Sequence, residues 1–173
     1  LSLSSAGTGV FSGRVDTRVP KDGKQTHAGF CNIRTIKRRG AFRIPKFYDW
    51  GRYNHLILRV RGDGRTYMLN IHLKTFFDIM WSDIHSFPLY TRGGPYWQFV
   101  KIPFSKFLLS NRARVQDNQC PLRLWEVEAL GITVADVPGP FKLEIDYIGV
   151  ENDPKHDEEF AYEMYKPPHP YYI

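Results

Sequence analysis

An all-β fold, an antiparallel β-sandwich of jelly-roll type with short helical turns, is what this sequence predicts, and three observations carry the prediction. Around eight short runs alternate apolar and polar residues with period two. No run sustains a helical period beyond a turn, and strands do not alternate with helices, which argues against a parallel sheet. Aromatic residues make up 15% of the chain, with 10 Tyr, 12 Phe and 4 Trp, a composition that suits strands. A chain of 173 residues can bury about 70% of its unfolded surface. Residues 1–150 are therefore expected to form one sandwich domain, and residues 151–173 an extension packed on its surface or partly disordered.

The central stretch is residues 54–73, NHLILRVRGDGRTYMLNIHL. Leu56, Leu58 and Val60 alternate with His55, Ile57, Arg59 and Arg61, and the pattern resumes after Gly62-Asp63-Gly64 with Tyr67, Leu69, Ile71 and Leu73. Two alternating runs about a turn read as a β-hairpin, with Gly62, Asp63 and Gly64 as its tip, because glycine and aspartate accept left-handed backbone. Ahead of it, residues 7–15 and 27–35 read as an opening pair of strands separated by a Pro20-Lys21-Asp22-Gly23 turn. Residues 36–48 read as a basic loop with a brief strand near 41–44, punctuated by Pro45.

After the hairpin, residues 76–81 have strand composition and residues 83–95 read as turns, with two prolines and Gly93-Gly94. Residues 97–102 alternate as a strand closed by Pro103, and 104–109 suit a short helical turn after a proline. Residues 112–121 are polar enough for a surface loop, and 122–127 fit either a helical turn or extended chain. Residues 129–134 read as a buried strand. Phe141, Leu143, Ile145 and Tyr147 alternate through the last strand, opened by the Gly139-Pro140 turn.

Lysine and arginine number 24 against 18 acids, a net charge of +6. Arg34, Lys37, Arg38, Arg39, Arg43 and Lys46 crowd one segment, and Glu151, Asp153, Asp157, Glu158, Glu159 and Glu163 crowd the end. Solvated loops of opposite sign account for this, and so does an anionic membrane surface or an acidic partner; no recognition helix, RRM or zinc-finger pattern accompanies it, so no nucleic acid is expected. No run of about 20 apolar residues suggests a membrane span. The opening Leu1-Ser2-Leu3-Ser4-Ser5-Ala6 lacks signal-peptide blocks and reads as a strand end from a longer precursor, so a targeting segment is not part of this chain. Cys31 and Cys120, 89 positions apart, make no metal spacing; they read as free thiols, with a disulfide open.

His55 and His72 face each other across the hairpin as drawn, yet even with Asp63 they lack a further ligand that the sequence places, so no metal and no cofactor are expected. Asp78 with Asp83, or Glu126 with Glu128, could form the carboxylate pair of a glycosidase, but nothing separates them from surface acids. A nucleophile elbow, a P-loop and a dinucleotide fingerprint are all missing, so no catalytic residues are assigned. Arg59, Arg61 and Arg65 are expected to surround Asp63 in a charge-assisted network that leaves guanidinium groups for a partner. Trp50, Trp81, Trp97 and Trp125, with Tyr53, Tyr67, Tyr90 and Tyr96, fit either core filling or a sugar-stacking face.

The order of Phe11-Ser12-Gly13, the R-x-R-G-D-G-R-x-Y run from Arg59 to Tyr67, Trp97-x-x-Val100-x-Ile102-Pro103-Phe104-Ser105-x-Phe107, Leu130-Gly131-Ile132 and Gly139-Pro140-Phe141-x-Leu143-x-Ile145-x-Tyr147-Ile148 resembles the complex I intermediate-associated protein family. The resemblance covers about residues 7–150, and residues 158–173 look like the animal mitochondrial branch. It implies a galactose-binding-like jelly roll and a non-catalytic assembly factor, or chaperone, for mitochondrial respiratory complex I. Such a protein binds early membrane-arm intermediates and other assembly factors on the matrix side of the inner membrane, with peripheral contact to that anionic surface. Plastid and bacterial members fused to other domains also belong to the family. Its motifs supply no catalytic residues. Arg61, Arg65, Trp81 and Tyr96 are the expected protein-binding residues. The alternative is a carbohydrate-binding module of jelly-roll type, because one fold hosts many functions.

Overall fold

The computed structural model describes residues 2–3, 7–19, 21, 28–74, 83–111, 114–135 and 137–157. The strand expected at 76–81, Trp81 and the tail from residue 158 lie outside the described residues. Among the described residues eleven strands form two antiparallel sheets. They are β1 (Ser2–Leu3), β2 (Gly9–Val15), β3 (Phe30–Arg34), β4 (His55–Arg61), β5 (Thr66–Leu73), β6 (Asp83–Tyr90), β7 (Gln98–Pro103), β8 (Leu108–Asn111), β9 (Arg114–Val115), β10 (Val127–Ala135) and β11 (Gly139–Glu151). One sheet runs β1-β2-β11-β4-β7 and the other β3-β10-β5-β6-β8-β9. Three-residue 3-10 turns stand at Ala41–Arg43, Phe104–Lys106 and Leu124–Glu126.

The inner faces are the ones the alternation selects. Leu56, Leu58 and Val60 of β4, with Phe11, Ile102 and Leu143, meet Tyr67, Leu69 and Ile71 of β5, with Leu89, Ile132 and Val134, in one buried cluster. Period two leaves His55, Arg59 and Arg61 of β4 and Asn70 and His72 of β5 on the outward parity. Burying a residue such as Leu58 or Leu69 stabilises the fold by roughly 1.5–3 kcal/mol.

Several expectations fail, each for a physical reason. The central stretch is not a hairpin: β4 pairs with β11 and β7, whereas β5 pairs with β10 and β6, so Gly62–Arg65 carries the chain from one sheet to the other. An arch between sheets buries both aliphatic faces against each other, which a hairpin in one sheet would not. His55 and His72 therefore lie on outer faces of different sheets and do not face each other. The opening strands β2 and β3 likewise belong to separate sheets. Residues 41–44 hold a 3-10 turn instead of a strand, closed by an isolated bridge between Arg39 and Pro45. Residues 83–90, read as turns, form β6; Pro88 is tolerated because β8 pairs only with Asp83–Ser86, leaving the strand without a neighbour on that side at Pro88. The loop expected over 112–121 contains β9.

Candidate protein-interaction surface

One end of the sandwich is organised by the crossing at residues 62–65. A Cβ on Gly62 would fall 2.3–2.6 Å from the Thr91 side chain, so only glycine lets these segments meet. Gly64 has φ +92°, a left-handed value. The Thr91 hydroxyl donates to the Arg65 carbonyl (2.7 Å) and accepts the Gly64 N–H (3.2 Å). Asp63 Oδ1 accepts the Arg65 N–H (3.1 Å) and the Tyr67 hydroxyl (3.2 Å), while Oδ2 accepts the Lys142 N–H (2.8 Å). The Asp63 carboxylate thus ties the crossing to β11. Burial, and then the neighbouring Asp63 charge, push the Tyr67 phenol far above its ordinary pKa, so it stays a hydrogen-bond donor.

The arginines do not all converge on Asp63. Arg65 alone pairs with it among the described residues, at 3.8 Å, and its guanidinium also donates to the Val137 (2.6 Å) and Pro138 (3.3 Å) carbonyls. Arg61 pairs with Glu144 and donates to the Pro95 carbonyl (3.3 Å). Arg59 pairs with Asp146 at 2.9 Å. Each cation has taken the nearest acid on β11 in place of the shared one. Hydrogen bonds from Lys142 and then Arg61 hold the Glu144 carboxyl below its ordinary pKa.

From this end an aromatic and arginine-rich face extends along the outside of the first sheet. Arg59 and Arg61 both lie over the Trp97 ring, with guanidinium carbons 5.3 and 4.9 Å from its centroid. Arg59 is opposite Phe99 on β7 and Tyr147 on β11, so Phe99, Arg59 and Tyr147 form one row across three strands. Phe99 is 62% exposed and Tyr147 48%, and Tyr96 in the adjoining 91–97 loop is 81% exposed. Exposed Tyr, Phe and Arg around a half-buried Trp match the composition that distinguishes protein interfaces from ordinary surface.

Of the residues expected from sequence, Arg61 and Tyr96 flank this face. Arg65 lies behind it with a side chain 18% exposed. Trp81 falls outside the described residues. Sequence reasoning missed Arg59, Phe99 and Tyr147 as a group. The available signal was that Trp97, just before β7, and Phe99, within it, share the parity a half-buried strand fills with polar side chains.

The other constellations disperse. Trp50 stacks on Phe104, Tyr67 is in the core, Trp125 is exposed and Trp97 lies under two arginines, so these residues do not form a common stacking face. Glu126 pairs with Lys74 and Arg123, Glu128 with Lys37, and Asp83 accepts from Asn111. Cys31 and Cys120 are free thiols. His55 packs edge-on against His156 with centroids 4.4 Å apart.

An open groove of about 540 Å³ lies on the outer face of the second sheet, lined in part by Asn32, Arg34, Asn70, His72, Gly131 and Thr133. Its polar side chains satisfy one another: Asn70 donates to Thr133 (2.9 Å) and Ser86 to Asn70 (2.8 Å). Burial, and then the Arg34 charge, lower the His72 pKa. No tryptophan, tyrosine or phenylalanine lines this groove among the described residues.

Comparisons with known proteins agree with the architecture. Solved structures of a family 11 carbohydrate-binding module from Clostridium thermocellum share the fold, at TM-scores of 0.54 and 0.50 and 16% and 15% identity, each covering 86% of this chain and 91% and 89% of theirs. At that identity the likeness concerns the fold alone. Among relatives, the "Complex I intermediate-associated protein 30, mitochondrial" of Drosophila melanogaster is 53% identical over 97% of this chain and 58% of its own length. The mouse protein of that name is 51% identical over 89% of this chain and 47% of its own. A Caenorhabditis elegans relative described as a probable protein of this type is 47% identical over 95% of this chain and 49% of its own. The chain thus spans about half the length of these relatives. With residues 1–145 matched by the family model for complex I intermediate-associated protein 30, the chain belongs to that family.

Proposed function

We propose that this chain is a non-catalytic assembly factor for mitochondrial respiratory complex I, the NADH:ubiquinone oxidoreductase. It binds early membrane-arm intermediates and other assembly factors on the matrix side of the inner membrane, with peripheral contact to that surface. Residues 1–150 act as one sandwich domain, with residues 151–173 as an extension. The observation that carries this reading is the exposed Phe99–Arg59–Tyr147 row beside Trp97 and Tyr96. Desolvated aromatic and arginine side chains supply most of the energy at protein interfaces. Arg61 and Tyr96 enter as contact residues, Arg65 braces the loops that present them, and Trp81 remains a proposed contact. No helix among the described residues is long and apolar enough to cross a membrane.

The test is native-gel fractionation of detergent-solubilised mitochondria, probing for this chain and for NADH oxidation in the same lanes. Migration in large assemblies without NADH oxidation is the expected result. A Phe99→Ala/Tyr147→Ala variant with unchanged melting temperature should leave those assemblies. Migration of the parent chain only as a free species would remove the reading and turn attention to glycans.

A further inference from the structure

The segment between β3 and Tyr48 is built unlike any other part of the surface. Positions 34–48 carry six cations, Arg34, Lys37, Arg38, Arg39, Arg43 and Lys46, and no carboxylate. The chain folds back on itself there, with the Gly40 N–H donating to the Ile44 carbonyl (2.8 Å) and the Lys46 N–H to the Arg38 carbonyl (3.0 Å). At the tip, Phe42 and Arg43 both have positive φ, +53° and +60°. Two successive non-glycine residues in that region are uncommon, and a bulky one is a reason to ask what the conformation serves.

The side chains answer in part. At the tip Phe42 is 97% exposed and Ile44 61%, while Ile36, at the base of the finger, is 89% exposed. Around them, Lys37 pairs with Glu128 and Arg38 lies over the Tyr48 ring, while among the described residues no carboxylate pairs with Arg34, Arg38, Arg39, Arg43 or Lys46. Leaving apolar tips in water beside unneutralised guanidinium groups costs free energy in the isolated chain. A surface that is anionic at its face and apolar just beneath relieves both at once.

We infer that residues 36–46 form a finger that docks on an anionic lipid bilayer, with Phe42 and Ile44 at its tip entering the acyl boundary and the cations lying on the headgroups. This deepens the membrane contact in the proposed function and rests on that reading for its biological setting. A bilayer fits better than an acidic protein because Phe42 projects from a narrow tip beside Arg43, with Ile44 next to it and Arg38, Arg39 and Lys46 on the two arms behind, an arrangement that inserts an apolar point and lays cations on headgroups. The finger leaves the sheet at the Val127 end of β10, opposite the end where the 62–65 crossing lies, since Leu73 pairs with Val127 and Thr133 with Met68. A chain lying on a membrane through the finger would therefore hold its aromatic, arginine-rich end away from the lipid.

The test is vesicle flotation with the chain and two lipid compositions, pure phosphatidylcholine and an equal mixture of phosphatidylcholine and phosphatidylglycerol. The parent chain should float with the mixture, not with phosphatidylcholine, and lose binding as salt rises. Phe42→Ser should weaken binding about tenfold, as expected for losing one partly inserted aromatic side chain. Arg38→Gln/Arg39→Gln/Arg43→Gln should weaken it on the order of 100-fold, since each cation near an anionic surface contributes about fivefold. Melting temperatures of both variants report folding separately. Failure of the parent chain to float with the mixture overturns the inference, as does a folded Phe42→Ser variant that floats like the parent. Should the parent fail to float while Phe42→Ser leaves the native-gel assemblies, the finger is a protein contact and the lipid assignment is wrong. A chain that floats yet never enters those assemblies would instead defeat the assembly reading and leave the finger standing.

Discussion

Replacing Asp63 by alanine tests the account of the crossing most directly. Its carboxylate accepts three hydrogen bonds from three segments of the chain, and their loss is not equal in cost. Tyr67 is 0% exposed, so its hydroxyl proton would be left buried without an acceptor, a penalty of about 1–3 kcal/mol. The Arg65 and Lys142 N–H groups lie near solvent and can turn to water, at about 0.5–1 kcal/mol each. Asp63→Ala should therefore destabilise the fold by about 3 kcal/mol, which at a urea m-value of about 2 kcal/mol/M lowers the midpoint by about 1.5 M. Tryptophan fluorescence during urea unfolding reads this. Tyr67→Phe alone should cost about 1 kcal/mol, and the double variant should be more stable than the two single losses added together, because no buried hydroxyl is then orphaned. A midpoint for Asp63→Ala within about 0.3 M of the parent, or strict additivity, would show that Asp63 does not hold the crossing in this way.

Three further outcomes follow from the geometry. His85 is buried, its Nε2 has no hydrogen-bond partner among the described residues, and burial lowers its pKa from 6.5 to about 4. The unfolded chain therefore takes the proton first, so stability is complete above about pH 6.5 and falls as pH drops toward 4, by up to about 3 kcal/mol; His85→Leu should flatten that slope in urea midpoints measured across the range. Gly62→Ala drives a Cβ into the Thr91 side chain, its Cβ included, and should cost about 2–3 kcal/mol, seen as a lower melting temperature and partly rescued by Thr91→Gly. Phe42→Gly removes a bulky residue from left-handed backbone and should raise stability by up to about 1 kcal/mol while weakening vesicle flotation.

The inward faces of β4, β5, β7 and β11 were legible because alternation is local and names the residues that must leave water. What joins those faces was not. The run through Gly62-Asp63-Gly64 reads the same whether the two strands share a sheet or oppose one another; the distinction rests on β11 and β10, far along the chain. β6 escaped notice because His85 takes an inward place that an aliphatic residue would ordinarily mark, and Pro88 reads as a breaker when its partner strand is out of view. Arg61 was legible as a functional candidate, but its pairing with Glu144 was not, since choosing among Asp63, Glu144 and Asp146 requires the register of β4 against β11. The finger was visible as charge only. Its apolar members, Phe42 and Ile44, alternate as a strand would, and their exposure arises from a tip conformation that no local preference favours.

The strand order also sets a limit on when this protein can exist as a folded object. β11 lies between β2 and β4, and β10 lies between β3 and β5. Each sheet is thus a set of early strands held apart until one late strand fills the gap. A chain delivered N-terminus first, from a ribosome or through a membrane pore, would present β2, β3, β4 and β5 with unpaired edges until residues 127–151 arrive. Folding is then a closing event at the end of delivery, and any truncation before residue 139 should yield a species that associates with other chains instead of a smaller native domain.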